Sequence, residues 1–216
     1  MKKIIISSIL LGAALLTSCN NSAQKESYTV TKEQFEQACT YDAYLPRILS
    51  LDFTVTYTET LDGSVNIHAV TKFDHGKIFA SPGHDDFYCL YREGSYSTEN
   101  RTWSFDYYYQ EESEWKIQLI ENETTPDDVY LPDIGFMVSF EELRFNSETN
   151  CYEQISGRKV LNMYYFYSEI KVKFVNGNIV YASWKYSSSS DPDKIYFNTV
   201  EVTNYGSTVV NLPNLR

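Results

Sequence analysis

Basic residues are scarce in this 216-residue chain, where 18 Lys and Arg stand against 29 Asp and Glu and the formal net charge is -11. Because binding to a phosphate backbone needs clustered Lys and Arg, we do not expect nucleic acid as a partner. Nine glycines and six prolines are too few for a collagen-like or low-complexity chain. With 43% hydrophobic residues, the composition is that of an ordinary globular protein rather than a disordered one.

Catalytic motifs are also missing from the sequence, which contains no GxSxG, HExxH, P-loop, GxGxxG or CxxC pattern. The one cluster with metal-ligand chemistry is His84-Asp85-Asp86, and the preceding Pro82 and Gly83 indicate a loop on which the three side chains would converge. A solvated turn is the simpler interpretation of that cluster. We therefore predict no enzyme activity, no catalytic residue, no cofactor and no metal site.

Long apolar runs are limited to residues 4–16, which follow Lys2 and Lys3. This run is too short to span a bilayer, which takes roughly 20 apolar residues, but it has the length of a secretory h-region. The next residues, Leu16-Thr17-Ser18-Cys19, resemble the lipobox of bacterial lipoprotein signal peptides. That resemblance implies that the Cys19 sulfur receives a diacylglyceryl group and that cleavage leaves Cys19 as the first residue. The alternative is an ordinary signal peptide followed by an unrelated cysteine.

The lipobox divides the chain into three predicted parts. Residues 1–18 form the signal peptide, residues 19–27 the lipid anchor and a flexible polar tether, and residues 28–216 a single antiparallel β domain. Two acyl chains hold a protein stably at a membrane, where one chain binds only marginally. We therefore expect a protein of the cell envelope, bound to a membrane through Cys19, with its body outside the cytoplasm.

Three cysteines remain after Cys19, namely Cys39, Cys89 and Cys151. An odd number cannot pair completely within the chain, so either one disulfide and one free thiol or three reduced thiols are expected. We favour buried positions in the core for all three, because free cysteine behaves as a small hydrophobe.

One helix is predicted directly after the tether, over residues 31–44. Thr31 and Gln34 fit a capping box, in which the two residues bond to each other's backbone amides. Val30 and Phe35 occupy the two positions of a hydrophobic staple and place the helix start at the same residue.

Beyond the helix, apolar and polar residues alternate with the period of two that is typical of β-strands. The alternating runs are residues 51–57, 65–69, 103–109, 115–119, 170–174, 179–186, 195–202 and 208–212. Asp62-Gly63 and Asn176-Gly177 predict type I′ hairpin turns, and His75-Gly76 a further turn. Such short connections make successive strands antiparallel neighbours, in a meander.

Three segments interrupt this meander. Residues 121–133 are acidic, contain two prolines and predict a loop, and residues 187–193 predict a hairpin loop. Between them, Phe136, Phe140 and Leu143 have helical spacing, which predicts a short helix, although the same residues are also compatible with a strand.

The order of elements, with the stretches Val172–Ile179 and Asn204–Pro213, resembles the Lol-type lipoprotein carriers and the related mycobacterial lipid-binding lipoproteins. The resemblance implies a curved, half-open antiparallel barrel with an apolar concave face that is partly closed by helices. No functional residue of that family matches a position here. The expected fold is thus mainly β, with one or two helices and a curved antiparallel meander behind an N-terminal helix.

Aromatic residues make up 16% of the chain, and 19 of them are tyrosines. We predict a continuous apolar face that binds a hydrophobic, lipid-like ligand, formed by Phe53, Val55, Tyr57, Trp103, Phe105, Tyr107, Trp115 and Ile117. For each residue alone, a place in the core is the simpler interpretation. Tyr108, Tyr164, Tyr165, Tyr167 and Tyr186 add aromatic surface to the other faces of the strands, which suits a partly wet cavity or a contact surface. The alternative function is a surface-displayed module that holds a protein or a glycan through exposed tyrosines.

The lipobox interpretation predicts that Cys19→Ser abolishes lipidation, because the sulfur that accepts the diacylglyceryl group is lost. We expect the variant to take up no labelled palmitate and to leave the membrane fraction. A variant that still incorporates label and sediments with membranes would contradict the lipobox.

Overall fold

The structure is a computed structural model, and it describes residues 26–40, 43, 48–97, 99–100, 102–123, 129–155, 160–161 and 164–215. In these residues the chain is mainly β, with one α-helix and a curved antiparallel sheet that does not close into a barrel. The predicted fold class is therefore confirmed. Cys19 and the predicted signal peptide lie outside the described residues. None of the helices described in this structure is long and apolar enough to cross a membrane.

In the described residues, one α-helix is followed by twelve strands, with a short 3₁₀ helix between the sixth and the seventh strand. Helix α1 spans Lys32–Cys39 and a short 3₁₀ helix spans Phe140–Glu142. The strands are β1 (Asp52–Leu61), β2 (Ser64–Asp74), β3 (Lys77–Ser81), β4 (Phe87–Ser97), β5 (Thr102–Glu111), β6 (Glu114–Glu123), β7 (Leu143–Asn146), β8 (Cys151–Gln154), β9 (Val160–Leu161), β10 (Tyr165–Val175), β11 (Asn178–Ser188) and β12 (Asp191–Thr203).

Helix α1 begins where its cap was predicted. The Gln34 amide donates to Thr31 Oγ1 at 3.3 Å, and the Thr31 amide donates to Gln34 Oε1 at 2.9 Å, so both bonds of the capping box are present. The helix ends at Cys39 because Thr40 has an extended backbone. The predicted end at residue 44 lies outside the described residues.

The sheet consists of two meanders joined by the first and last strands. Its order is β6-β5-β4-β3-β2-β1-β12-β11-β10-β8-β7, and β9 pairs with β10. Strands β1 and β12 pair antiparallel from Thr54 opposite Thr203 to Leu61 opposite Tyr196. This contact places the two halves of the chain in one sheet.

The predicted hairpin turns are confirmed by their backbone angles. Asp62 and Gly63 have φ of 51° and 78°, and Asn176 and Gly177 have φ of 52° and 83°. Two successive positive φ values define the type I′ turn, which matches the twist of the strands that it joins.

Three expectations about the strands need correction. The predicted loop at 187–193 is only a two-residue turn, because β11 continues to Ser188 and β12 starts at Asp191. Residues 208–212 form no strand; Thr208 instead hydrogen-bonds Thr54, and the Val210 amide donates to Asp74. Sequence reasoning also missed β3, β4, β8 and β9.

The predicted helix around residues 136–143 and its strand alternative are each correct in part. The Ser139 amide donates to Glu142 Oε2 at 3.0 Å, and a single 3₁₀ turn follows at Phe140–Glu142. Strand β7 then begins at Leu143.

One face of the sheet is covered by helix α1 and by residues 129–142, which we call the cover segment. Phe35 of the helix packs on Phe174 of β10, with ring centroids 6.1 Å apart, and on Phe140 of the cover segment at 5.7 Å. Ile134 and Met137 of the cover segment are buried in the same core. Most of the concave face is thus filled by the chain itself.

The three cysteines are buried and not disulfide-bonded, which agrees with the core positions predicted for them. Burial raises the pKa of the Cys39 and Cys89 thiols above the ordinary range. These thiols therefore remain protonated and act as apolar core groups.

The joint between α1 and the cover segment predicts a steric requirement at Gly135, whose amide donates to the Cys39 carbonyl at 2.7 Å. A Cβ at this position would lie 2.6 Å from Thr40 Cγ2 and 3.0 Å from the Cys39 oxygen. We expect Gly135→Ala to lower the free energy of unfolding in urea by about 1–3 kcal/mol.

A matched background separates this contact from other effects of the alanine. Thr40→Ser removes Cγ2 but keeps the hydroxyl that donates to the Glu36 carbonyl at 2.7 Å, so Gly135→Ala should cost less in that background. Equal losses in both backgrounds would show that the contact with Thr40 is not the cause.

Candidate functional site

Four residues of the predicted ligand-binding face belong to the core. Phe53 and Val55 are 0% exposed, Trp103 is 1% exposed and Phe105 is 3% exposed. Phe53 stacks on Phe73 at 4.7 Å. As the chain is folded here, these side chains are covered by protein and offer no surface to a ligand.

Two further residues of that face, Trp115 and Ile117, lie on the opposite side of the sheet. The register pairs Ile117 with Tyr108, and Tyr107 with Gln118. Because directly paired residues share a face and neighbours in a strand alternate, Ile117 lies with Tyr108 and not with Tyr107. The prediction of one continuous face is therefore wrong for these two positions.

The last two predicted residues are half-buried on the concave side but lie apart. Tyr107 packs against Phe87 and Tyr109, with centroids at 5.3 and 5.8 Å. Tyr57 lines a pocket between the sheet and the cover segment. Of the eight predicted residues, Tyr57 alone lines this pocket.

This cavity, which we call the tyrosine pocket, has a volume of about 280 Å³. Strands β1, β10, β11 and β12 supply one wall and the cover segment supplies the other. It is lined by Tyr57, Tyr130, Leu131, Asp133, Phe136, Met137, Tyr165, Tyr167, Trp184, Tyr186 and Val200.

Small residues make room for the pocket, and aromatic rings surround it. On the sheet, Val200 lies between Tyr57 of β1 and Ala182 of β11. The short side chains of Val200 and Ala182 leave space above this part of the sheet. Tyr57 stacks on Tyr130 of the cover segment, with centroids 4.3 Å apart and planes at 13°. The ring of Trp184 lies 6.4 Å from that of Tyr57.

Beside these rings, a buried carboxylate is held by uncharged donors. Glu59 is 3% exposed and accepts hydrogen bonds from Tyr186 at 2.6 Å and from Asn66 at 2.5 Å, with Tyr57 at 3.4 Å. Tyr57 donates at 2.5 Å to Asn198, which is 0% exposed. Glu59, Asn198 and Trp184 form one row across β1, β12 and β11.

A β-bulge brings Asn66 to this carboxylate. Glu59 pairs with Ile67, whereas Thr60 pairs with Val65, so Asn66 is an extra residue in β2. Bulges redirect side chains in this way and are frequent beside functional sites.

The electrostatics of this cluster favour neutral phenols. Burial, together with the charge of Glu59, raises the pKa of Tyr57 and Tyr186 above the ordinary value. Both hydroxyls therefore remain protonated at neutral pH and continue to donate hydrogen bonds.

The Asn198 Nδ2 is buried and has no hydrogen-bond partner among the described residues.

The outer face carries a second set of aromatic side chains. Phe79 lies 5.0 Å from Tyr88, and Tyr88 lies 5.2 Å from Trp115, measured between centroids. The neighbouring Ile117 and Leu119 of the edge strand β6 are 45% and 58% exposed. We call Phe79, Tyr88, Trp115 and these two residues the outer patch.

His84, Asp85 and Asp86 lie in the bend between β3 and β4, as their sequence predicted. Within the residues that the structure describes, no three His, Cys, Asp or Glu side chains are grouped so that they could hold a metal ion.

Comparison of the chain with models of known protein families and with curated proteins found no match. The resemblance to lipoprotein carriers therefore stays a prediction, and the site is interpreted from its own geometry.

Sequence reasoning missed Trp184 and Tyr130, which line the pocket, and the buried pair Glu59 and Asn198, which bonds to the lining phenols. Tyr165, Tyr167 and Tyr186 were noted only as additional aromatic surface. The sequence did carry a signal for this polar pair. Glu59 continues the inward-facing positions of the alternating run 51–57, and Asn198 occupies such a position in the run 195–202.

The hydrogen bond from Tyr186 to Glu59 predicts a measurable contribution to stability. Tyr186→Phe keeps the ring but removes the donor at 2.6 Å, so a buried carboxylate loses a partner. We expect a loss of about 1–3 kcal/mol in the free energy of unfolding.

Tyr196→Phe is the matched control, because its ring stacks on Tyr186 at 4.8 Å while the residue is partly exposed and interacts with Lys194 at the surface. It should change stability by no more than about 0.5 kcal/mol. Equal effects of the two substitutions in denaturant unfolding would exclude a special role of the Glu59 bond.

Proposed function

We propose that this protein is a lipoprotein of the cell envelope, anchored to a membrane through Cys19, and that its body binds a compact hydrophobic ligand without catalysing a reaction. The tyrosine pocket is the observation that carries this proposal. It combines a concave shape, aromatic walls and a few buried polar groups, which is the usual composition of a small-molecule site.

The size of the pocket limits the ligand. Its volume of about 280 Å³ is just below the usual range for small-molecule sites, which is about 300–1,000 Å³. Core side chains such as Phe53 and Trp103 fill much of the concave face elsewhere. A compact lipid-like group therefore fits better than a long acyl chain lying along the whole sheet.

The expected affinity is moderate. A ligand that buries about 200 Å² of apolar surface would gain on the order of 5 kcal/mol, before the costs of association. Micromolar binding then requires additional specific contacts with the polar groups beside the rings.

The second candidate function is a surface-displayed interaction module. The outer patch supports it, because the patch places exposed Ile117 and Leu119 next to aromatic side chains on an edge strand. Contiguous apolar surface of this kind marks contact sites for other macromolecules. A protein or a glycan would be the partner.

The two candidates predict different tryptophan responses. In the full-length protein, held in nanodiscs of phosphatidylglycerol, titration with decanol should change tryptophan fluorescence saturably. Trp184→Phe should remove most of that change, because Trp184 lines the pocket, whereas Trp115→Phe should retain it.

Empty nanodiscs correct for partition of decanol into the lipid. A saturable response that disappears with Trp115→Phe would show that decanol binds at the outer patch and not in the pocket. The absence of any saturable response would contradict the pocket as a ligand site.

A further inference from the structure

The chemistry of the tyrosine pocket specifies more than a hydrophobic ligand, and this inference rests on the function proposed above. Seven of the lining side chains are aromatic, and six of them are Tyr or Trp, with electron-rich ring faces: Tyr57, Tyr130, Tyr165, Tyr167, Trp184 and Tyr186. Such faces attract cations, and Trp and Tyr do so more strongly than Phe.

Negative charge lies on both sides of these rings. On the sheet, Glu59 is bonded to two of the lining phenols, Tyr57 and Tyr186. On the cover segment, Asp133 lines the pocket directly. The charge of Glu59 is only 3% exposed, so water screens it less than a surface charge.

The hydrogen bonds that Glu59 accepts leave its charge in place. The donors are two phenols and the Asn66 amide, and all three groups are neutral. A neutral donor satisfies a lone pair but brings no positive charge. Within the part of the chain that the structure describes, Glu59 forms no ion pair with Lys or Arg, and a cation in the pocket would supply that positive charge.

The same hydrogen bonds favour one type of cation. A primary ammonium group brings three N–H donors that need acceptors, whereas the Glu59 oxygens already accept bonds and the pocket walls are mostly rings. An alkylated ammonium has an apolar surface and needs no acceptor, so ring faces suit it.

We propose that the ligand of the tyrosine pocket carries an alkylated ammonium group, which lies against the aromatic rings and is attracted by Glu59 and Asp133. The group could belong to a free small molecule or to a lipid headgroup, since both present the same surface to the rings.

The test compares two probes of the same shape. Choline and 3,3-dimethylbutan-1-ol differ in one atom, the positively charged nitrogen that is replaced by carbon. Calorimetric titration of the full-length protein in phosphatidylglycerol nanodiscs, with empty nanodiscs as the blank, should show choline binding about tenfold more tightly.

Substitutions assign that preference to the pocket. Glu59→Gln should lower the ratio of the two affinities severalfold, while Glu201→Gln removes the same charge from an exposed position of β12 and should leave the ratio unchanged. Should Glu59→Gln fail to fold, Tyr130→Leu serves instead, since it removes a ring of the cover segment and should weaken choline but not the alcohol.

The relative affinities of the two probes test the cation inference and the hydrophobic pocket separately. Equal affinities for the two probes would overturn the cation inference but keep the pocket as a hydrophobic site, whereas binding of neither would overturn both. If choline is preferred, flotation of the nanodisc-held protein with phosphatidylcholine vesicles is compared with flotation with phosphatidylglycerol vesicles, which control for the lipid anchor. Stronger flotation with phosphatidylcholine indicates a lipid headgroup, and equal flotation with both indicates a free small molecule.

Discussion

The pairing of β1 with β12 is the constraint on which the rest of the structure depends. These strands are separated by about 130 residues, yet eight residue pairs join them antiparallel. All other strand pairs are formed within one of the two halves of the chain. The tyrosine pocket spans this junction, because Tyr57 comes from β1 and Trp184, Tyr186 and Val200 come from the C-terminal half. Neither half contains the site alone.

The register of that pairing is set by burial. A slip of one residue would turn Val55 outward and Thr54 or Thr56 inward, and it would carry Glu59 away from Asn198. The burial of the apolar residues of β1, such as Val55, therefore also fixes the position of Glu59 in the same strand. A buried carboxylate is costly unless it is well hydrogen-bonded. Asn66 reaches Glu59 from the neighbouring β2, whereas the Tyr186 donor comes from β11 and depends on the observed β1–β12 register.

Local features of the fold could be predicted from the sequence, whereas the site could not. The capping box at Thr31 and the turn at Asn176-Gly177 depend on neighbouring residues, and both are present. The error at Trp115 and Ile117 has a simple geometric cause. The two-residue turn pairs Glu111 with Glu114, so each odd-numbered residue of β5 near the turn is paired with an even-numbered residue of β6. Because paired residues share a face, the odd positions of the two strands lie on opposite faces of the sheet. The contact of Glu59 with Tyr186 depends on the β1–β12 pairing, which no local pattern encodes.

The excess of tyrosine has a physical explanation in the pocket. A phenylalanine in place of Tyr57 or Tyr186 would supply a ring but leave a lone pair of Glu59 or Asn198 without a donor. An asparagine would supply the donor but no aromatic wall. Tyrosine does both, with its hydroxyl bonded to the buried polar groups and its ring facing the pocket. Since burial and the nearby carboxylate raise the pKa of both phenols, they keep their protons and continue to donate hydrogen bonds. The rings therefore separate a buried charge from the cavity while leaving its field to act on whatever occupies that cavity.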